Sequence, residues 1–572
     1  MPGRDDHAVI AGGRAARAAA APADAPGRAA LDRGIGAAAA ALLATRRADG
    51  SWQDTLPSSP VATGSAVIAL HTARPRECAG LIDAGAAWLR RAQRPDGGWG
   101  DAAAGPATLN ATAIAVAALK IVAAPESAAA IERGLDWLER AGGLSLAGDK
   151  QACTLRAICQ HYLHYAGLYP EGDLASIPVE LALLPARLRK KLSFTVPGVM
   201  SWGVMQARTS RRGPLRRLLQ PAAERAALGY LDWIQDYEQH VGGFEESPLM
   251  TSIVCVGLAR AGVAPHIVGR CVDYLRATAR RSGAWPVNRD LEFSATVFVA
   301  AGLHECGIAT EPTVAWIRSC QRAAAFMPTG CPPGGWGWSL PSGWPNTDDT
   351  ADALIVAAGA GPADETTRRG VDWLLRMQNK NGSWSCFCKD TPLSLDAPCP
   401  VMTAHAITAL RTAGRLGRGD RPIARAVRWL GTVQHPDGAI GATWYTGLTA
   451  GTGSVLDALG GLGLAQSQTA RRCAGWLLAT QHDDGGWGDG QDGPATVEET
   501  AWALLGLLGG GEDAQHPALG RAARWLLDHQ QPDGLWPPAL LGIYFLDLLY
   551  ACDHLANGYA LQALGRYRSL RD

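Results

Sequence analysis

The sequence predicts an all-α protein built of helical hairpins curled into barrels or a solenoid. Three observations carry this. A unit of about sixteen residues recurs along the chain, and long-period self-similarity means stacked supersecondary units. Apolar stretches of helical length lie between the copies. Almost nothing alternates with the two-residue period of a strand.

The first 34 residues, rich in Ala, Arg, Gly and Pro, are expected to be poorly ordered. They lack the basic, apolar and cleavage regions of a signal peptide. The repeat begins with "WLRRAQRPDGGW" (Trp88–Trp99) and continues with "RGVDWLLRMQNKNGSW" (Arg369–Trp384), "RCAGWLLATQHDDGGW" (Arg472–Trp487) and "RAARWLLDHQQPDGLW" (Arg521–Trp536). Weaker copies end in Phe244 and Ile440, and Trp316–Gln321 begins another. In each, Trp-Leu and the preceding small residue fit one helical face, and the Asp/Asn-Gly step ends the helix. A Gln amide can tie down backbone at a helix end and a Trp can pack over the next unit, so these residues read as scaffold. "ATAIAVAALKIV" (Ala111–Val122) and "TAWALLGLLGG" (Thr500–Gly510) are the intervening apolar helices.

Composition narrows the function. Lys+Arg and Asp+Glu balance at 53 each, which gives no footing for nucleic acid. Thirteen cysteines without a CxxC pair favour reduced thiols and a cytoplasmic protein. "CFCKD" (Cys386–Asp390) is a weak metal signal without a matching second pair. No apolar run reaches the roughly 18–20 residues of a membrane span. No Walker or Rossmann fingerprint is present.

The stretch "GWPNTDDTADAL" (Gly343–Leu354) crowds Asp348, Asp349 and Asp352 where an apolar helix begins. One Asp would suffice as a cap. Adjacent carboxylates in an apolar setting raise the alternative of an acid kept protonated.

These residues resemble a known family. The repeat resembles the QW motif of squalene–hopene and oxidosqualene cyclases, and "PNTDDTA" (Pro345–Ala351) resembles the DxDDTA acid motif of class II terpene cyclases, with Asn346 in place of its first Asp. "PPGGWGW" (Pro332–Trp338), "MTAHAI" (Met402–Ile407), "TAGTGSVLDAL" (Thr449–Leu459), "GGWGDG" and "ALGRYR" (Ala563–Arg568) also fit. The resemblance implies two α/α-barrel domains, residues 35–305 and 306–572, the second carrying the acid. It implies protonation-initiated cyclisation of a linear polyprene, squalene or a related long isoprenoid, without a cofactor. Asp348 matches the proton donor, Asp349 its neighbouring carboxylate and His405 its supporting partner. Asn346, Trp338, Phe387 and Trp444, with Phe194 and Phe293, are the expected substrate-facing residues, because aromatic faces stabilise a migrating cation without attacking it.

"LPARLRKKLSFTVPGVMSWGVMQARTSRRGPLRR" (Leu184–Arg217) interleaves basic clusters with apolar residues. It reads either as solvated surface or, through Arg187, Arg189, Lys190 and Lys191, as contact with anionic lipid. Peripheral membrane attachment of a cytoplasmic protein would suit a bilayer-dissolved substrate, and such a chain could also pair as a homodimer. Three alternatives stand beside this reading. The first is a diterpenoid cyclase acting on a prenyl diphosphate, which would bring Mg²⁺ with its substrate. The second is a zinc-dependent prenyltransferase subunit, for which no convincing Asp-Cys-His set is found. The third is a catalytically inactive isoprenoid-binding relative, suggested by Asn346.

Overall fold

The computed structural model describes residues 25–102, 105–144, 155–209, 213–237, 242–340, 343–490, 493–544 and 548–571. Among the described residues it is all-α apart from isolated bridges and two short antiparallel pairs, Trp336–Gly337 with Pro345–Asn346 and Gly542–Tyr544 with Leu548–Tyr550.

Two kinds of helix alternate along the chain, and their sequences say which layer each occupies. Pro60–Ala73, Leu109–Val122 and Val497–Gly509 are apolar nearly all round, and buried residues run along almost their whole length. Such helices belong inside. Glu365–Met377 and Arg421–Thr432 bury only one stripe, and their Arg and Glu side chains face out.

The inner helices of the C-terminal half form a closed ring. Glu292–Glu305 packs on Thr347–Gly359, then come Pro400–Thr412, Thr449–Gly461, Val497–Gly509 and Asp553–Arg571, which returns to Glu292–Glu305. Close approach within it needs residues without side chains. A Cβ on Gly453 would lie 2.4 Å from the Trp502 carbonyl oxygen. In the N-terminal half, Pro60–Ala73 packs on Leu109–Val122 and on Pro248–Ala261, which in turn packs on Val196–Thr209.

The Gln and Trp of the repeat do the same job in each copy. The Gln378 amide donates to Gly382 O and Pro422 O, both at 2.8 Å, joining its own turn to the next outer helix. Trp384 Nε1 donates to Leu374 O at 2.8 Å, and its backbone N–H reaches Thr403 Oγ1. Gln93, Gln321, Gln434, Gln481 and Gln530 repeat the amide bridge. Trp99, Trp487 and Trp536 repeat the indole bond. The scaffold reading of these tryptophans fits their complete burial.

One expectation is corrected at the N-terminus. Residues 28–34, within the stretch expected to be poorly ordered, are the start of a helix, Arg28–Thr45. Leu31, Ile35, Ala38 and Leu42 are buried, and the Gln530 amide donates to Gly34 O at 2.9 Å. An Ala- and Leu-rich segment orders once the last repeat offers it a partner. The expectation for residues 1–24 lies outside the described residues, as do residues 210–212 of the basic stretch.

Candidate active site

The acid motif folds as the N-terminus of Thr347–Gly359. Asn346 caps it: the Asp349 N–H donates to Asn346 Oδ1 at 2.8 Å. The Asn346 amide also donates to the Asp349 carboxylate, whose other oxygen accepts from Ser294 Oγ at 2.6 Å. Asn346 therefore binds Asp349 twice, as acceptor and as donor, where an Asp could serve only as acceptor. Burial outweighs these bonds and raises the Asp349 carboxyl to about 7.

Asp348 faces another partner. His405 Nδ1, from the middle of Pro400–Thr412, lies 2.6 Å from Asp348 Oδ1 and 3.5 Å from Asp352 Oδ1. Burial disfavours a charged imidazole here, but Asp352 first and Asp348 next overcome it and push His405 up to about 9. Burial and its charged neighbours hold the Asp352 carboxyl well above the ordinary range, although the imidazolium opposes this. Asp348, Asp352 and His405 bring one potential ligand atom each to within 4.8 Å of one another. In the structure His405 Nδ1 is engaged by Asp348, with Asp352 as the second carboxylate on the same nitrogen.

Asp348, Asp349 and Asn346 open onto a chamber of about 90 Å³ walled by Trp338, Phe387, Trp444, Tyr445, Tyr544 and Tyr550. A second chamber, about 30 Å³, shares Trp338, Phe387, Trp444 and Tyr544 with the first and adds Phe194. The rings meet edge-on: Phe387 is 5.7 Å from Trp338, 5.7 Å from Trp444 and 5.5 Å from Phe194 between centroids. No Lys or Arg lines either chamber among the described residues. On the far side of His405, Asp352 and His405 border a third cavity of about 100 Å³ with Asp457 and Arg566. There the Arg566 guanidinium donates to Asp457 at 2.7 Å.

Most of the expected residues converge. Phe293 does not. It is fully buried, stacked on Trp316 with centroids 5.9 Å apart, and lines neither chamber. On Glu292–Glu305 the chamber face is Ser294 and Phe298, four residues apart, and Phe293 sits a third of a turn away.

Other residues received no role from the sequence. Asp352 was named among the crowded aspartates, and its place four residues beyond Asp348 sets it on the same helical face. Asp396 carried no signal. Its carboxylate accepts the backbone N–H groups of Cys386, Phe387 and Cys388 at 2.9, 3.1 and 2.9 Å, which fixes the loop that presents Phe387. Burial pushes it to about 7 despite those bonds. Tyr544 and Tyr550 enter on the paired strands Gly542–Tyr544 and Leu548–Tyr550, 5.2 Å apart. The "CFC" thiols are structural neighbours of this loop, with Cys388 Sγ 3.2 Å from Lys190 O.

Comparison with known proteins gives the same direction. Models of the squalene-hopene cyclase N-terminal and C-terminal domains match residues 35–203 and 324–569. The squalene–hopene cyclase of Bradyrhizobium diazoefficiens is 31% identical over 207 residues, 31% of this chain and 31% of the relative. The drimenyl diphosphate synthase of Streptomyces showdoensis is 29% identical over 184 residues, 31% and 33% of the two chains. The chain thus spans about a third of the length of the curated relatives it matches. Among solved structures, the ent-copalyl diphosphate synthase of Streptomyces platensis superposes with a TM-score of 0.61 at 22% identity, covering 93% of this chain and 99% of that one. That likeness is one of fold. Two domain models that together span both halves, and an acid motif placed as described, mean that the chain belongs to the squalene–hopene cyclase family of class II terpene cyclases.

Proposed function

We propose that this protein cyclises a linear, uncharged polyprene by protonating a terminal alkene from Asp348. The observation that carries this is the 2.6 Å contact of Asp348 with His405 at the wall of an aromatic chamber. An alkene is a very weak base, so its protonation needs an acid whose conjugate base is stabilised in advance. The imidazolium at Asp348 Oδ1 provides that, because the carboxylate left behind gains a charge-assisted hydrogen bond. The new C–H bond leaves a tertiary cation, and successive alkenes of the folded chain attack it to close rings. Trp338, Phe387 and Trp444 present π faces and edges along that path, and their apolar lining disfavours water that would quench the cation early. Asp349, held by Asn346 and Ser294, orients the first turn of the acid helix.

The absence of cationic side chains from the lining of both chambers, among the described residues, favours a substrate without a diphosphate. A second reading keeps the diphosphate outside. Arg189 and Lys190 line a surface groove of about 710 Å³, and the turn Lys190–Thr195 runs from that groove to the second chamber, which its Phe194 lines. A prenyl diphosphate could leave its head in the groove, with Mg²⁺ as its companion, and thread its tail inward. Drimenyl diphosphate synthase and ent-copalyl diphosphate synthase lend that reading support by name.

The same groove supports peripheral membrane attachment. Leu183, Leu188, Trp233 and Met327 are exposed on or beside it. Lys191 contributes less than its position in the sequence implies, because its ammonium turns inward to Asp390 O at 3.2 Å. No helix among the described residues is long and apolar enough to cross a membrane.

The test is product analysis with squalene, shorter uncharged polyprenes and geranylgeranyl diphosphate, for the parent and for Asp348→Asn. Cyclic product from an uncharged polyprene, lost in folded Asp348→Asn, is expected. Product from the diphosphate alone selects the second reading. Full activity in Asp348→Asn refutes the assignment of the acid.

A further inference from the structure

Cyclisation that begins with a proton must end by losing one or by capturing a nucleophile, and the acid cluster cannot be both donor and acceptor for a cation that has moved away from it. We infer that Glu245 is the base that ends the reaction, an inference that rests on the cyclase reading. Glu245 lines the second chamber, beyond the aromatic wall shared with the first. No aspartate of the acid motif borders that chamber. Beside the aromatic rings and Val287, its border carries the polar Ser247 and Asn288, whose amide donates to Tyr544 Oη at 3.1 Å. One side of the chamber can thus stabilise a cation by π contact and the other can take its proton.

The backbone gives an independent reason to single out this residue. Glu245 and Glu246 have φ of +58° and +53°. Among the described residues they are the only consecutive non-glycine pair in the left-handed region. That region is costly for residues with a Cβ, and strain of this kind concentrates at working sites. Both are buried. Glu246 is turned to Ser339, whose hydroxyl donates to its carboxylate, and Glu246 O accepts the Arg289 N–H. The unusual conformation sends the two side chains to different places and leaves Glu245 on the chamber.

In the terminating step, a C–H bond next to the last cationic carbon breaks, its electron pair forms the C=C bond, and the proton goes to the Glu245 carboxylate. With the proton given by Asp348, the overall change is an isomerisation. Each turnover leaves Asp348 one proton poorer and Glu245 one proton richer, and both return to their starting states by exchange with solvent.

The test compares the parent with Glu245→Gln and Glu245→Asp, each verified by thermal melting. Products from the polyprene that the parent converts best are quantified. Glu245→Gln is expected to keep consuming substrate but to lower the ratio of the parental alkene to other alkenes and alcohols at least tenfold, and Glu245→Asp to restore most of it. A second arm measures, by tryptophan fluorescence, the binding of a polyprene tertiary amine whose ammonium stands for the terminal cation. Glu245→Gln is expected to weaken it at least tenfold while leaving the uncharged polyprene unaffected. Parental turnover with unchanged products in Glu245→Gln, or equal amine binding, overturns the base assignment alone. Absence of turnover in the parent on every substrate overturns the cyclase reading, and the base with it.

Discussion

Replacing His405 with alanine should slow product formation by up to about two orders of magnitude and leave substrate affinity almost unchanged. The magnitude follows from the acid cluster. His405 rises from the ordinary 6.5 to about 9 because Asp352 and Asp348 stabilise its charged form against burial. At about 1.36 kcal/mol per pH unit, this is a stabilisation of about 3 kcal/mol, shared by the two carboxylates. Once Asp348 has delivered its proton, the imidazolium 2.6 Å away stabilises the carboxylate that remains. The interaction is therefore stronger after proton transfer than before it, which is the condition for raising kcat rather than lowering KM. Asp352 supplies the larger single part of that, so about 3 kcal/mol, or roughly a hundredfold in rate, is the upper bound on what Asp348 loses. His405 does not line the aromatic chambers, so a neutral polyprene should bind the variant as well as the parent. Single-turnover kinetics with gas-chromatographic product detection would separate the two effects. A drop below about threefold, or one confined to KM, would refute the claim that the imidazolium supports the acid.

Further tests reach other parts of the molecule. Asp352→Asn removes the largest influence holding His405 charged, so the alkaline fall in kcat, expected near pH 9 in the parent, should move to lower pH; an unmoved limb counts against Asp352. Trp384→Ala should cost about 3–5 kcal/mol by denaturant unfolding, because a fully buried indole and its bond to Leu374 O are lost, and the product mixture should stay that of the parent. Arg187→Gln, Arg189→Gln and Lys190→Gln together should weaken binding to anionic vesicles, at about 1 kcal/mol per charge, and salt should weaken the parent likewise; equal binding removes the basic turn from any membrane role.

What could be read in advance depended on how far apart the cooperating residues lie. The repeat was legible because Gln, Gly and Trp sit within one hairpin and meet across a single turn, as in Gln378, Gly382 and Trp384. The acid motif was legible for the same reason, since cap and carboxylates fall within four residues. Asp352 was named with the other aspartates but given no role, although helical spacing placed it beside Asp348. Phe293 was misplaced by one position on a helix whose apolar residues point in all directions, so hydrophobicity could not say which face meets the cavity. Asp396 and the tyrosines of the paired strands Gly542–Tyr544 and Leu548–Tyr550 could not have been found locally. Their partners are set by the meeting of distant segments, and a lone Asp beside a Pro-rich turn resembles any other loop residue.

The helix Asp553–Arg571 completes the inner ring and also packs on Arg28–Thr45, where Arg568 pairs with Asp32 at 3.0 Å. This has a consequence for biogenesis. On the ribosome the acid motif is made about 200 residues before the helix that closes its barrel, and domains otherwise tend to fold as the chain emerges. Until then the ring lacks the helix that joins Val497–Gly509 to Glu292–Glu305, and a carboxylic acid in water is too weak to protonate an alkene. On the proposed mechanism, a nascent chain gains its competence only once Asp553–Arg571 has joined the ring. A ribosome stalled short of Asp553 would hold a chain with every residue of the acid cluster and no dry chamber in which to use them.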